Sequence, residues 1–479
     1  MYQEHKIAAA AVGGEGEAAL RRAYVASEWR ILPILSCLWM LAWVDRANVS
    51  FAKLQMLSDL HFGEVVYGFG AGLFFLGYVV FGIPAIMIQR KIGARLTIAA
   101  IAIGWGVTSV AMIFATNPIS FYLLRFLLGV FEAGFYPGVI LYFASWFNTR
   151  RRTRNFSMFH SAAICSTVVV GLSGGFILDH MSGWLSVAGW RWMFLVQAAP
   201  TIVLGGLVLY ILPDGPRSAP WLSPEQRSLI QADLDSERTP ETAGPDKCSI
   251  LTNPMVWLLS AIYFCILAAN SALGFYMPTI LSEAGFGGYT AIGNALVGIC
   301  LLGALGNIVF STYASRRRET QIFCAIGSFL SVASLIVLVF VWHSSRVGTF
   351  AALVVALAGT GAGISLFWQT PTRYLKEGSI AIAVPFISSV ANIAGFLTPS
   401  LTGYARELAG SYAAGFLTAA CAQALAGVLL VAVIPIAVRR TRLSKNSFFE
   451  ELAYDSAYDE SRIQDRREPG TRQTASAAD

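Results

Sequence analysis

The stretch ILPILSCLWMLAWVDRANVSFA, residues 31–52, decides the fold. Residues 31–44 read as a membrane-buried helix, and then Asp45 and Arg46 stand side by side, with Asn48 and Ser50 just beyond. A helix that crosses a bilayer needs about 20 predominantly apolar residues. Two full charges inside such a helix demand a chemical reason, and the rest of the chain supplies the setting for one.

The pattern recurs along the whole length. Of 479 residues, 56% are hydrophobic and 13% charged, with mean hydropathy +0.60; a soluble domain carries roughly a quarter charged residues. Apolar segments of about 20 residues have cores at 30–52, 66–89, 95–115, 118–146, 156–178, 190–212, 252–282, 289–313, 321–342, 349–370, 379–404 and 411–437. The expected fold is an all-α polytopic membrane protein with 12 transmembrane helices. Outer-membrane barrels show alternating strands of about ten residues instead, and none is present. The first thirty residues lack the basic, apolar and cleavage-site order of a signal peptide. The seven cysteines are scattered without a CxxC pair, which argues against a disulfide framework or a metal site. No Gly-Lys dipeptide occurs, so a Walker A loop is excluded and ATP is not the expected energy source. No cofactor, and no nucleic-acid partner, is expected.

Lysine and arginine set the topology. Placing the N-terminus in the cytoplasm gathers Arg21, Arg22 and Arg30, then Arg90, Lys91 and Arg95, then Arg150, Arg151, Arg152 and Arg154 on the inside. Arg316, Arg317, Arg318, Arg373, Lys376, Arg439, Arg440, Arg442 and Lys445 follow on the same side, against Lys53, Arg346 and Arg406 outside. The net charge of +6 is therefore a topology signal. Both termini are expected in the cytoplasm.

One long polar interior stretch, Pro213 to Ser249, divides the chain. Within it Ser223, Pro224 and Glu225 have the character of an N-cap, a proline at N1 and an acid against the helix dipole. The expected organisation is a cytoplasmic N-terminal segment (1–29), a six-helix half (30–212), a cytoplasmic linker (213–249), a second six-helix half (250–438) and a cytoplasmic tail (439–479). The halves repeat weakly: GLFFLGYVVFG (72–82) answers GICLLGALG (298–306), and QRKIGAR (89–95) falls opposite SRRRET (315–320). In transporters built from such repeats the substrate site lies between the halves near the bilayer midplane.

Ionisable groups deep in spans carry the chemistry. Each costs about 2.5–3.5 kcal/mol at a helix centre, so Asp45, Arg46, Arg125 and Glu132 together would cost on the order of 10 kcal/mol unpaired. They must pair or face water. At about 1.5 Å per residue, Asp45 and Arg46 lie about 22–24 Å up the first span and Arg125 about 10 Å down the fourth, at a similar level. Glu132 follows about 10 Å deeper on the same helical face. An upper cluster of Asp45, Arg46 and Arg125 with an acid below it is the expected arrangement. Arginine binds a carboxylate through a fork that does not deprotonate, and a carboxylate shielded from water can take up and release a proton. Together they suffice to move an organic anion with protons. Structural ion pairs locking the first span to the fourth are the plainer alternative.

DRANVSFA (45–52), RFLLGVFEAGFYPG (125–138), GWRWMF (189–194), WLSPEQR (221–227), FYMPTIL (275–281), FWQTPT (367–372) and SSVANIAGFLTPSLTGY (388–404) resemble the anion:cation symporter branch of the major facilitator superfamily. The resemblance spans nearly the whole chain. It implies the major facilitator fold in two pseudo-symmetric halves, a multi-pass protein of the bacterial inner (plasma) membrane, a small organic acid as substrate and protons as the coupling ion. It further implies that Arg46 binds the substrate carboxylate, that Asp45 and Glu132 carry protons, and that Arg125 tunes Glu132. Tyr78 and Asn392 match positions that line the substrate site in that branch. Two departures stand out. Ser271-Ala272-Leu273-Gly274 replaces a common Tyr-Gly-Leu-Ser before FYMP, and IMIQRKIGAR (86–95) has Arg90 where the superfamily's loop motif has aspartate.

Weaker candidates come from the second half. Asn270 sits about one repeat period from Asp45, and Gln369 and Thr370 lie within a span beside Trp368. Interhelical amide bonding or helix packing explains them equally well. His160 reads as interfacial, and Pro137 is expected to kink the fourth span after Glu132. The functional expectation is a proton-coupled symporter, monomeric, importing a small organic carboxylate. A proton antiporter exporting a drug or metabolite and a transporter-like ligand sensor are the alternatives. An enzyme is not expected, since no nucleophile–base pair stands out.

Overall fold

The computed structural model describes residues 14–237, 252–317, 319–375 and 377–436. Twelve helices are long and apolar enough to cross a membrane: Gly16–Leu60, Glu64–Ile92, Ala94–Phe114, Pro118–Trp146, Thr149–His180, Gly189–Ile211, Pro254–Glu283, Tyr289–Arg317, Thr320–Val341, Arg346–Tyr374, Ile382–Ala409 and Ala413–Ile436. They are called the first to twelfth spans. Outside the described residues lie Cys248, the linker from 238 onward, the tail, and the topology cations Arg318, Lys376, Arg439, Arg440, Arg442 and Lys445.

With an even number of spans, both described ends lie on one side, here termed the terminal side; the opposite side is distal. Three apolar cores hold the molecule, and their membership defines its shape. At the terminal side one core gathers Tyr24, Leu35, Trp105, Trp146 and Ile230, all from the first six spans and the segment after them. A second gathers Val256, Ile266, Cys324, Phe367 and Leu430, all from the last six. The third unites both sets, Phe51, Met56, Tyr67 and Trp190 with Tyr276, Leu281, Leu338 and Phe416. Burial of apolar side chains thus joins the halves distally and leaves them separate at the terminal side. Close backbone approach reinforces the distal seam. A Cβ on Gly68 in the second span would overlap the Pro399 carbonyl of the eleventh, and one on Gly293 in the eighth would overlap that of Gly171 in the fifth. Small residues allow such contacts between membrane helices.

The fourth span is broken where the chemistry sits. Its helix runs Pro118–Glu132, opens in a turn, and resumes at Phe135–Trp146. Pro137 supplies no N–H for the Ala133 carbonyl, which accounts for the break and agrees with the kink expected after Glu132.

The linker helix forms as its sequence directs. Ser223 Oγ accepts from Gln226 N at 3.2 Å and Gln226 Oε1 accepts from Ser223 N at 3.1 Å, a complete capping box at the start of Pro224–Ser236. This helix is docked on the first half. Tyr24 Oη donates to Asp233 Oδ2 (2.6 Å), Asn148 Nδ2 donates to the same oxygen (2.9 Å), and Trp221 stacks on Trp146.

Candidate functional site: a charge cluster in the first half

The first span is helical throughout Gly14–Leu60 and delivers Asp45 and Arg46 on adjacent faces. Arg46 Nε donates to Glu132 Oε1 at 2.6 Å, and its Nη2 lies against the same oxygen. Glu132 is 1% exposed, whereas the Arg46 side chain is 16% exposed, so the pair opens on its arginine side. Glu132 Oε2 has no partner. One oxygen therefore takes both nitrogens, and the two-oxygen fork of a fully matched arginine–carboxylate pair is left unmade.

Four rings enclose the Arg46 guanidinium: Tyr78 at 5.0 Å, Trp43 and Phe74 at 5.2 Å each, and Trp39 at 6.0 Å. Attraction to ring faces holds the cation in a dry setting. The indole N–H groups of Trp39 and Trp43 are buried and have no acceptor.

Asp45 is fully buried and, among the described residues, makes no ion pair. Its Oδ1 accepts from Ser109 Oγ of the third span at 2.6 Å and from Asn48 Nδ2 at 3.3 Å, and Oδ2 has no partner. Arg125, also fully buried, donates through Nη2 to the Ala71 carbonyl at 3.3 Å and lies 5.4 Å from the Phe74 ring. Its Nε and Nη1 are unpartnered. It stands within electrostatic reach of both Asp45 and Glu132, making two acids and two bases in one cluster.

This arrangement corrects the expected upper trio of Asp45, Arg46 and Arg125. The contact pair is Arg46–Glu132, joining the first span to the fourth. Helical side chains lean toward their own helix N-terminus. The first span starts on the terminal side and the fourth on the distal side, so Arg46 leans down and Glu132 leans up. The axial gap of about 10 Å expected from residue rise is closed by those two opposite leans. Ser109, which gives Asp45 its bond, carries no signal in the sequence beyond being one of three hydroxyls, with Thr97 and Thr108, in an apolar span.

The second half contributes neutral groups. Asn270 is half-buried. Gln369 is exposed, at the junction where the tenth span's helix Arg346–Phe367 gives way to Gln369–Tyr374. Asn392 is half-buried and donates to the Ser388 carbonyl of its own helix at 2.9 Å. Beside them Tyr263 stacks on Phe367 with centroids 4.6 Å apart and meets Trp368 edge-on at 4.8 Å. Tyr136, half-buried in the fourth span, is within electrostatic reach of both Tyr78 and Tyr263.

Lys53, counted as an outer-loop charge in the sequence, is instead buried inside the first span. It contacts Glu64 Oε2 at 2.9 Å, donates to Tyr412 Oη at 2.9 Å, and sits within 4.8 Å of the rings of Tyr67, Tyr276 and Tyr412. Tyr412 in turn donates to Glu64 Oε1, and Tyr67 Oη donates to the Phe275 carbonyl at 3.0 Å. Arg406 pairs with Glu283 at 3.2 Å, and Asp179 accepts from Tyr289 N and Thr290 N. The bonds of Tyr412, Tyr67 and Asp179 lock the distal seam, and Arg406–Glu283 braces the second half beside it. The first span's helix runs eight residues past its apolar core at residue 52, and that extension hid Lys53's position. The departure at Arg90 also resolves: Gln89 Nε2 donates to the Gly138 carbonyl at 3.0 Å, and Asp214 accepts from Arg95 N at 2.9 Å. That turn is tied by neutral and backbone bonds.

Twelve spans in two six-helix sets, closed together at one side and holding a buried charge cluster within the first set, define a polytopic membrane transporter. The chain belongs to the Major Facilitator Superfamily, whose family model matches residues 35–399. It is 37% identical over 398 residues to the "Putative metabolite transport protein NicT" of Pseudomonas putida, covering 82% of this chain and 90% of that protein. It is 36% identical over 419 residues to a "Putative tartrate transporter" of Agrobacterium vitis, covering 86% and 93%. A "Quinolone resistance transporter" of Acinetobacter baumannii is 32% identical, covering 81% and 89%. Among solved structures, a D-xylose-proton symporter superposes with TM-score 0.67 at 15% identity, covering 84% of this chain and 97% of that one. The protein is a membrane transporter and not an enzyme.

Proposed function

We propose that the chain is a proton-coupled symporter that imports a small organic carboxylate by alternating access, with both termini in the cytoplasm and the distal side facing outward. The observation that carries this reading is the Arg46–Glu132 pair: a guanidinium open on one side, held by a single carboxylate oxygen. A substrate carboxylate offers Arg46 two oxygens and competes with Glu132 for it. Protonation of Glu132 from outside removes the competitor; deprotonation toward the cytoplasm restores it and expels the substrate. Asp45 is the second proton carrier, and Ser109 orients its carboxyl. Arg125 keeps a positive charge close to both acids and so favours their release of protons. Tyr78, Asn270, Gln369 and Asn392 line the path of the substrate.

The tartrate and metabolite transporter names of the relatives agree with a carboxylate cargo. The quinolone resistance relative favours a second reading, export by proton antiport. Proteoliposomes with an inward-directed proton gradient separate the two, since symport concentrates substrate inside and antiport drives it out. In the same vesicles Arg46→Ala is expected to abolish accumulation. Glu132→Gln is expected to abolish proton-driven accumulation while keeping substrate exchange. Full accumulation by Glu132→Gln would remove its proposed role.

A further inference from the structure

The reading of Arg46 as the carboxylate-binding group leaves open what the rest of the substrate looks like, and the surroundings of Arg46 answer that. Counting charges comes first. Arg125 is fully buried behind Phe74 and bonded to the Ala71 carbonyl. Lys53 is occupied by Glu64 and Tyr412 at the distal seam. Arg46 is therefore the one guanidinium of the charge cluster that opens on the space between the halves. The polar candidates that the second half offers, Asn270, Gln369 and Asn392, are all neutral amides. A second carboxylate would find no cation there, and an unpaired buried charge is costly.

The remaining surface is aromatic. Trp43, Tyr78 and Tyr136 are half-buried on the first half, and the second carries Tyr263 stacked on Phe367 beside Trp368, within electrostatic reach of Tyr136. Many hydroxyl groups on a substrate would be matched here by few donors and acceptors. A flat ring, by contrast, meets ring faces and edges, and aromatic pairs gain more than their buried area alone. The buried N–H groups of Trp39 and Trp43, which have no acceptor, stand beside Arg46 where the oxygens of a bound carboxylate would arrive.

We propose that the substrate is a planar aromatic monocarboxylate, its carboxylate on Arg46 and its ring among Trp43, Tyr78, Tyr136 and Tyr263. The test is a binding series on the purified full-length protein, read as ligand-induced thermal stabilisation. The probes are benzoate, cyclohexanecarboxylate (the same charge without a π face), tartrate (two carboxylates and two hydroxyls) and benzamide (the ring without charge). Benzoate is expected to bind on the order of tenfold more tightly than cyclohexanecarboxylate or tartrate, the scale of one desolvated aromatic contact, and benzamide not at all. Trp43→Leu is expected to erase most of the preference for benzoate over cyclohexanecarboxylate. Trp43→Phe, which keeps a ring and serves if the leucine variant folds poorly, is expected to retain it. Tartrate binding tighter than benzoate, or equal binding of benzoate and cyclohexanecarboxylate, overturns the aromatic assignment and leaves the carboxylate reading standing. Undiminished benzoate binding by Arg46→Ala overturns the carboxylate reading and this inference with it.

Discussion

The two halves share a helical plan and differ in what they put at its centre. The first holds Asp45, Arg46, Arg125 and Glu132 among its buried or nearly buried groups; the second holds Asn270, Gln369 and Asn392 beside an aromatic cluster. The difference teaches a division of labour. Long-range charge, which moves protons and selects an anion, is concentrated in one rigid unit where distances between charges are fixed. The opposite unit supplies short-range contacts that change as the halves part. A transporter needs its charge balance kept when the halves separate, and a cluster confined to one half keeps it.

The strongest way to break that contrast is to unbalance the charged half. Glu132→Ala leaves Arg46 without its only carboxylate, and removing one member of a buried pair costs about 3–5 kcal/mol. The expected result is a large drop in thermal stability of the detergent-solubilised protein. Replacing both residues together with apolar groups is expected to recover most of it, since the uncompensated charge goes too. Equal losses in the single and double variants would show that the pair is not a unit.

A smaller effect is expected at the distal seam, where a neutral group of the second half bonds to charged groups of the first. Tyr412 bridges Lys53 and Glu64 from across the interface. Tyr412→Phe deletes the hydroxyl and leaves the ring in place, and a hydrogen bond to a charged group contributes about 1.5–3 kcal/mol. The distal side is expected to open more often, read as faster labelling of a cysteine placed beside Tyr276 by an impermeant thiol reagent. Unchanged labelling would mean that the apolar core uniting the halves, not this bond, sets the closure.

Milder still is the neutral half. Asn270→Ala is expected to weaken substrate affinity about threefold to tenfold, one ordinary hydrogen bond, without altering the number of protons moved per substrate. A change in that ratio, measured by the reversal potential of uptake, would move Asn270 into the coupling machinery and blur the division between the halves.

Much of this was legible in the residues. Twelve apolar segments, the position of the linker helix and the identity of the four buried charges follow from hydropathy, capping chemistry and the rarity of ionisable groups in spans. The pairing among those charges was not. Residue rise locates Cα atoms along an axis, whereas Arg46 and Glu132 meet through side chains that lean in opposite senses on antiparallel helices. Lys53 was misread for a related reason: hydropathy marks where apolar residues stop, and the helix continued beyond them, carrying a lysine whose partners come from the second and seventh spans and the loop before the twelfth. The state of closure was also invisible, because it depends on which apolar side chains share a core across the two halves.

The linker helix offers the finest test of how the halves are separated. Asp233 in the helix and Trp221 just before it bind elements of the first half: Tyr24, Asn148, Ser27, Arg30 and Trp146. The helix therefore rides with the first half. Ser223→Ala removes the side chain that accepts from Gln226 N, and loss of such a cap costs about 1 kcal/mol. If docking and capping are coupled, hydrogen exchange at the amides of Gln226 and Arg227 should rise about fivefold, the equivalent of that cost, with transport unchanged. A fall in transport rate would instead make the linker helix part of the moving machinery.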